Sequence, residues 1–306
     1  MKTRLAVIGV GSLGQHHARI LAAMPDVDLV GVVDINAARA QEIAATHGTA
    51  VVADAASLIG RVDGVSIATP TGSHVQVALP FVEAGIAVLI EKPLASSLAE
   101  ADRLLAAAAT RGSLLATGHT ERFNPAVAAA RPLVSSPRFV EVHRLGTFPD
   151  RSLDIDVIFD LMIHDLDVLL SLVGSDVAAV EAVGVNVLTP KVDIANARLR
   201  FESGCIANLT ASRISRDRVR KARFFQHDAY ISIDYAAQEL EVYRLEPSNG
   251  GRPVIQGGRI EIANEEPLLR ELADFVSAIR ERRPAAVTGA DGRAALALAT
   301  RIAELL

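Results

Sequence analysis

The chain has 306 residues, 50% of them apolar, and a formal net charge of −5. That length supports a sizeable core in one large or two ordinary domains, and an acidic balance with no long basic run excludes the electrostatic footprint of a nucleic-acid or anionic-membrane binder. A single cysteine, Cys205, excludes a disulfide framework and a thiolate metal cage, and no uninterrupted apolar run is long enough to span a bilayer.

The first apolar strand, residues 5–8, runs directly into Gly9, Gly11 and Gly14, spaced as G-x-G-x-x-G. The first glycine of such a turn allows the tight bend, the second allows a pyrophosphate to approach the backbone, and the third allows the helix to pack on the strand. The helix expected over 12–24 then points its N-terminal N–H groups and positive dipole end at the phosphates, with Ser12 and Leu13 at the lip of that cradle. A second strand over 27–33 ends in Asp34, twenty residues after Gly14, where a carboxylate accepts hydrogen bonds from the adenosine ribose hydroxyls. An acid at this position repels a 2′-phosphate, and neither Ile35 nor Asn36 supplies a cation, so NAD is favoured over NADP. Arg39, one turn into the next helix, reads as a solvated helix residue, with a swing back to a 2′-phosphate as the alternative that keeps NADP open.

Short apolar strands over 50–52, 64–68, 86–90 and 114–117 alternate with Ala-rich helices, the pattern of a doubly wound parallel sheet. The helix over 96–110 opens on a cap at Ser96 or Ser97 with Glu100 behind it and stops at Arg111 and Gly112. Ligands bind beyond the carboxyl ends of such strands. There the chain places Thr69, Pro70 and Thr71 with His74, which read equally as a capped proline turn or as a contact to the cofactor. It also places Glu91 and Lys92, expected as further cofactor contacts, before Pro93, which restricts Lys92 to an extended conformation and leaves two opposite charges at the mouth of a buried strand. After 114–117 follow Glu121, Arg122, Phe123, Asn124 and Pro125; Arg122 and Asn124 suit hydrogen bonding to a polyhydroxy or phosphorylated substrate, or tie the domains together.

Beyond residue 120 the texture becomes period-2 alternation over 138–146, 177–188, 194–201, 205–212 and 239–245, interrupted by helices over 160–173, 267–281 and 291–305. This predicts an N-terminal Rossmann domain over 1–120. A C-terminal α/β domain over 121–306 follows, with an open, largely antiparallel mixed sheet, and its final helices could pack back on the first domain. The open sheet face predicts a homodimer or homotetramer. Asp160 and His164, spaced i and i+4, lie one above the other on a helix, with Asp167 near the same side. Imidazole beside a carboxylate takes a proton from an alcohol. No second histidine stands at ligand spacing, so no metal is expected. No leader pattern precedes the first strand, and a cytoplasmic location is expected.

Together, Gly9 to Gly14, Asp34, Thr69-Pro70-Thr71 with His74, Glu91-Lys92-Pro93, the Asp160/His164 pair and the terminal Glu271-Leu272-x-Asp274-Phe275 with Asp291-Gly292 resemble the glucose-fructose oxidoreductase, inositol dehydrogenase and rhizopine-catabolism family (Gfo/Idh/MocA). The resemblance implies NAD(P)-dependent oxidation of a sugar, sugar nucleotide or cyclitol, Lys92 and His164 as the catalytic pair, and Asp160 as their companion in the substrate site. Glu121 to Pro125 combined with Asp160 to Asp165 looks most like the subgroup that oxidises UDP-N-acetylglucosamine at C3. The lead-in Asp156-Val157-Ile158-Phe159 departs from the Gly-rich approach of many members. Inositol or free-sugar oxidation, reduction of another small molecule, and a non-catalytic nucleotide-sensing role stay open alternatives.

Overall fold

The computed structural model describes residues 2–148, 155–246 and 254–306. The chain separates into two compact units, one comprising the residues up to His119 with Leu268–Leu296, the other Thr120–Pro267 with Ala297–Leu306.

In the first unit the elements alternate: β1 (Thr3–Ile8), α1 (Gly14–Ala23), β2 (Val27–Val33), α2 (Ala37–His47), β3 (Gly64–Ile67), α3 (His74–Glu83), β4 (Ala87–Glu91), α4 (Leu98–Arg111) and β5 (Leu115–Gly118). The five strands form one parallel sheet in the order β2-β1-β3-β4-β5. Strands β3, β4 and β5 are buried at every position, as parallel strands covered on both faces must be. The helices stop where the sequence provides for it. The Ser97 hydroxyl accepts from the Glu100 N–H, Glu100 accepts from the Ser96 N–H, and Gly112 closes α4 with a left-handed φ of 63°. The strand expected over 50–52 shrinks to a single bridge between Val51 and Val32.

In the second unit, α5 (Pro125–Ala130), β6 (Pro137–Leu145), α6 (Ile163–Val173), β7 (Val177–Val185), β8 (Ile194–Phe201), β9 (Ile206–Ser212), β10 (Val219–Gln226), β11 (Ala229–Asp234), β12 (Glu239–Glu246) and β13 (Val254–Ile260) build an eight-stranded sheet with helices. Its order is β13-β12-β11-β10-β6-β9-β8-β7, antiparallel except for the parallel pair β6 and β9. From Ala195 onward, strand β8 alternates strictly between buried and exposed residues, which identifies a sheet covered on one face. α5 lies against β11 and β12. The rest of the chain forms α7 (Pro267–Glu281) and α8 (Gly289–Ala303). Among the described residues no helix is long and apolar enough to cross a membrane.

α7 enters the core of the first unit. Leu272, Phe275 and Val276 join Leu5, Val7, Leu21 and Val27 in one buried cluster. Phe275 is 1% exposed. Phe275→Ala therefore leaves a cavity with packed walls, and chemical denaturation should show a loss of about 3–5 kcal/mol.

Candidate active site

The glycine turn after β1 assigns each glycine a different task. Gly9 has a φ of +85°, and a Cβ there would stand 2.8 Å from the backbone of Ala68 and Thr69 at the end of β3. A Cβ on Gly14 would overlap the Gly9 carbonyl, so only glycine lets α1 pack this tightly on the turn. Gly11 has nothing within 4 Å of its missing side chain, so open space adjoins its backbone and the start of α1. These residues fit a dinucleotide: an open cradle, N–H groups at a helix N-terminus, and an acid beyond the second strand. Ser12 and the 43%-exposed Leu13 lie in the same turn.

Asp34 is held from below. Its Oδ2 accepts from the Val10 N–H and its Oδ1 from the Asn36 N–H, both at 2.8 Å. Each oxygen keeps a lone pair for a further donor. Arg39 corrects the sequence reading. Instead of being solvated, it donates from Nε to the Val10 carbonyl at 3.0 Å, from Nη2 to Gln15 at 2.6 Å and from Nη1 to Glu42 at 2.8 Å. The guanidinium thus braces the glycine turn.

Past β3, Thr69 and Thr71 are half-buried, Pro70 is exposed, and a 3₁₀ turn over Thr71–Ser73 leads into α3. Of the two readings of His74, capped turn or cofactor contact, the ring's bonds favour the first, since both nitrogens face backbone carbonyls. Its Nδ1 is 2.9 Å from the Pro93 carbonyl and its Nε2 is 2.8 Å from the Thr69 carbonyl, and the residue is 1% exposed. Burial holds this imidazole below its ordinary pKa, against the opposing pull of the two carbonyls and of Glu91. His74 joins the turn after β3 to the turn after β4.

The Lys92-Pro93 bond is cis. Lys92 is half-buried and Glu91 is buried. The Glu91 carboxylate also departs from the expected cofactor contact, because it turns into the protein. Oε1 lies 3.0 Å from His17 Nε2, and Oε2 accepts from the Lys92 N–H at 3.2 Å. Burial would raise its pKa, but the hydrogen bond and charge of His17, with the Lys92 charge, outweigh burial and hold the carboxyl below its ordinary range. His17 Nδ1 in turn lies 2.7 Å from Ser66 Oγ. The sequence reading did not single out either His17 or Ser66.

In the second unit, a π-helical turn over Ile158–Met162 precedes α6, so Asp160 sits in a widened turn where a regular helix was expected from residue 160. Such turns recur at functional sites. The lead-in is fixed to the start of β8: Asp156 accepts from the Val192 N–H at 2.9 Å, and the Val157 N–H donates to the Val192 carbonyl at 3.0 Å. Asp160 and His164 are half-buried, whereas Asp165 and Asp167 are buried.

Those two buried acids hold the helix. Arg144 donates to both oxygens of Asp165 at 2.6 and 2.9 Å and to Glu121 at 3.0 Å. Burial opposes the Arg144 charge, but Asp165 and Glu121 raise its pKa further above the ordinary arginine value. Arg122 donates to both oxygens of Asp167 at 2.8 and 3.1 Å. Asn124 accepts from the Ala126 N–H as the cap of α5 and donates to the Tyr235 carbonyl at 2.9 Å. Of the two readings of Arg122 and Asn124, substrate ligand or structural tie, these bonds favour internal braces of this unit, and Asp167 is buried, away from the side expected to join Asp160 and His164.

The comparisons agree with this architecture. Residues 3–119 match the model of the oxidoreductase family with an NAD-binding Rossmann fold, and residues 136–232 match the GFO/IDH/MocA C-terminal domain. The chain is 42% identical to the UDP-N-acetylglucosamine 3-dehydrogenase of Acidithiobacillus ferrooxidans over 98% of this chain and 96% of that protein. A solved structure of that dehydrogenase superimposes with a TM-score of 0.93 at 40% identity, covering 100% of this chain and 98% of the other. An inositol 2-dehydrogenase of Rhizobium meliloti is 28% identical over 98% and 95% of the two chains. The chain belongs to the Gfo/Idh/MocA family of NAD-dependent oxidoreductases.

Arg122→Met strands a buried Asp167 and should cost about 3–5 kcal/mol of unfolding free energy. Adding Asp167→Leu should recover most of that loss. An unchanged unfolding curve with a raised KM for substrate would instead return Arg122 to substrate binding.

Proposed function

We propose that this chain is an NAD-dependent dehydrogenase of a sugar nucleotide that oxidises the C3 hydroxyl of UDP-N-acetylglucosamine. The observation that carries this reading is the likeness to the Acidithiobacillus ferrooxidans dehydrogenase over nearly both full lengths. The half-buried Asp160 and His164 on one stretch of helix, and the half-buried Lys92 beyond β4, supply the side chains the reaction needs.

In this reading the first unit holds NAD through Gly9, Gly11, Ser12, Leu13, Gly14, Asp34, Thr69, Pro70 and Thr71. The second unit, through Asp160 and His164, holds the sugar. Bound NAD supplies the acceptor for the hydride that leaves the carbinol carbon. His164 accepts the hydroxyl proton as the carbon–oxygen double bond forms, and Asp160 orients the imidazole and stabilises its charged form. Lys92 steadies the negative charge that develops on the oxygen. The chain acts as a cytoplasmic homodimer or homotetramer through the open sheet face. That face carries a row of aromatic rings, Phe139, Phe225, Tyr230 and Tyr243, with successive centroids 5.7, 5.2 and 6.0 Å apart.

Purified protein with NAD should form reduced nicotinamide, read by absorbance, when given UDP-N-acetylglucosamine from a panel of UDP-sugars, free sugars and inositols. His164→Ala should lower kcat by about 10²–10⁴ with NAD affinity intact. Reduction by an inositol and not by the UDP-sugar would move the substrate to the cyclitols, and silence with every sugar despite NAD binding would favour a nucleotide sensor. Asp34→Ala should weaken NAD and narrow its preference over NADP, because it removes both the ribose acceptor and the charge that repels a 2′-phosphate. Unchanged cofactor kinetics would remove Asp34 from the ribose site.

A further inference from the structure

The Glu91-Lys92-Pro93 turn is fixed by two buried histidines that approach it from different helices. His74, at the start of α3, reaches the Pro93 carbonyl. His17, in α1, reaches the Glu91 carboxylate and is itself held by Ser66 of β3. Gly118 of β5 closes the remaining side, where a Cβ would stand 3.1 Å from the Glu91 carboxyl carbon. Ser66, His17 and Glu91 thus form one hydrogen-bonded chain through three elements, which ends at the Lys92 backbone N–H.

We propose that His17 is a positioning residue for Lys92: it keeps the Glu91 carboxylate as a fixed anion at the base of the lysine, and that anion holds the ammonium charged and in place. The inference rests on the reading that Lys92 acts on the oxidised hydroxyl. A carboxyl group this deeply buried keeps its charge only when donors and cations compensate for lost water. Glu91 has two such donors, His17 Nε2–H and the Lys92 N–H, each serving one oxygen. Ser66 Oγ lies 2.7 Å from His17 Nδ1 and fixes the ring from behind, so that Nε2 faces the carboxylate, where only a donor can bond to an ionised oxygen. A cluster of this kind contributes little net stability compared with apolar residues of equal volume, so its position beneath the lysine points to a task at that lysine. Among the described contacts, the ionisable groups at the turn are Glu91 and Lys92 from β4 and its end, His17 from α1 and His74 from α3.

Removing His17 takes one donor from Glu91, which then holds a proton more readily, and Lys92 loses its neighbouring negative charge. The Lys92 midpoint therefore falls. The chain has only four lysines, Lys2, Lys92, Lys191 and Lys221, so reductive dimethylation with isotope-labelled formaldehyde gives a sparse NMR spectrum in which Lys92→Arg assigns the signal. Titrated without NAD or sugar, the Lys92 signal should move to a midpoint about 1–3 pH units lower in His17→Leu and in Glu91→Gln. It should return close to the wild-type midpoint in His17→Gln, whose amide N–H occupies the place of Nε2. With UDP-N-acetylglucosamine and NAD, His17→Leu should lower kcat by about 10- to 100-fold at unchanged NAD affinity, and His17→Gln should recover most of it.

The same Lys92 midpoint in all variants, or His17→Gln behaving like His17→Leu, would overturn the proposal. If His17→Leu does not fold, Glu91→Gln and His17→Gln still decide it. If no sugar reduces NAD, the substrate reading fails, and the titration, which uses neither ligand, still judges the role of His17.

Discussion

The first unit depends on the contact between Gly14 and the Gly9 carbonyl, where a Cβ would overlap the oxygen. That contact sets how closely α1 lies on the sheet. The consequences run through the side chains α1 carries: Gln15 receives Arg39, which also pins the Val10 carbonyl, while the Val10 N–H fixes Asp34. Further along the same helix, Ala18 and Leu21 enter the core with Leu5 and Val7. The third glycine of the fingerprint therefore governs the ribose acceptor and the core together, and a side chain there would displace the helix that both share.

The second unit relies on electrostatics. α6 is strongly apolar and would find several ways to settle on a sheet, because burying leucines and valines is non-directional. Two guanidinium–carboxylate forks remove that freedom. Arg144 reaches Asp165 from β6, and Arg122 reaches Asp167 from the 3₁₀ turn before α5. Each fork requires a particular rotation of the helix, since planar guanidinium and carboxylate groups meet edge to edge. With Asp165 and Asp167 turned inward, His164 and Asp160 are left half-buried.

The sequence made the local devices legible. The glycine spacing, Asp34, the Ser97 cap and the succession of fully buried strands are all encoded within a few neighbouring residues. Strands β10, β11 and β13 escaped the sequence reading. In β10 the basic residues Arg220, Lys221 and Arg223 interrupt the alternation, and adjacent Phe224 and Phe225 face opposite sides of the sheet. In β13 nearly every residue is exposed, so no buried face marks its period. The partners of charged groups were illegible for another reason. His17 meets Glu91 across 74 residues, and Arg122 meets Asp167 across 45. Arg122 and Asn124 looked available because the acid and the carbonyl that receive them arrive only with the fold.

A common arrangement emerges when the two units are considered separately. In each, a half-buried basic residue, Lys92 or His164, adjoins in sequence a fully buried acid whose own partners are fixed: Glu91 by His17, and Asp165 by Arg144. Buried polar groups of this kind cost desolvation and would be replaced without loss of stability by apolar side chains of similar volume. What apolar packing could not supply is direction. A methyl group fits in many orientations, whereas a carboxylate accepting hydrogen bonds on both oxygens fixes its backbone, and with it the next residue along the chain. Such preorganisation lowers the cost of placing a charged group against a reacting hydroxyl, because the ordering is completed during folding and need not be repeated at each turnover.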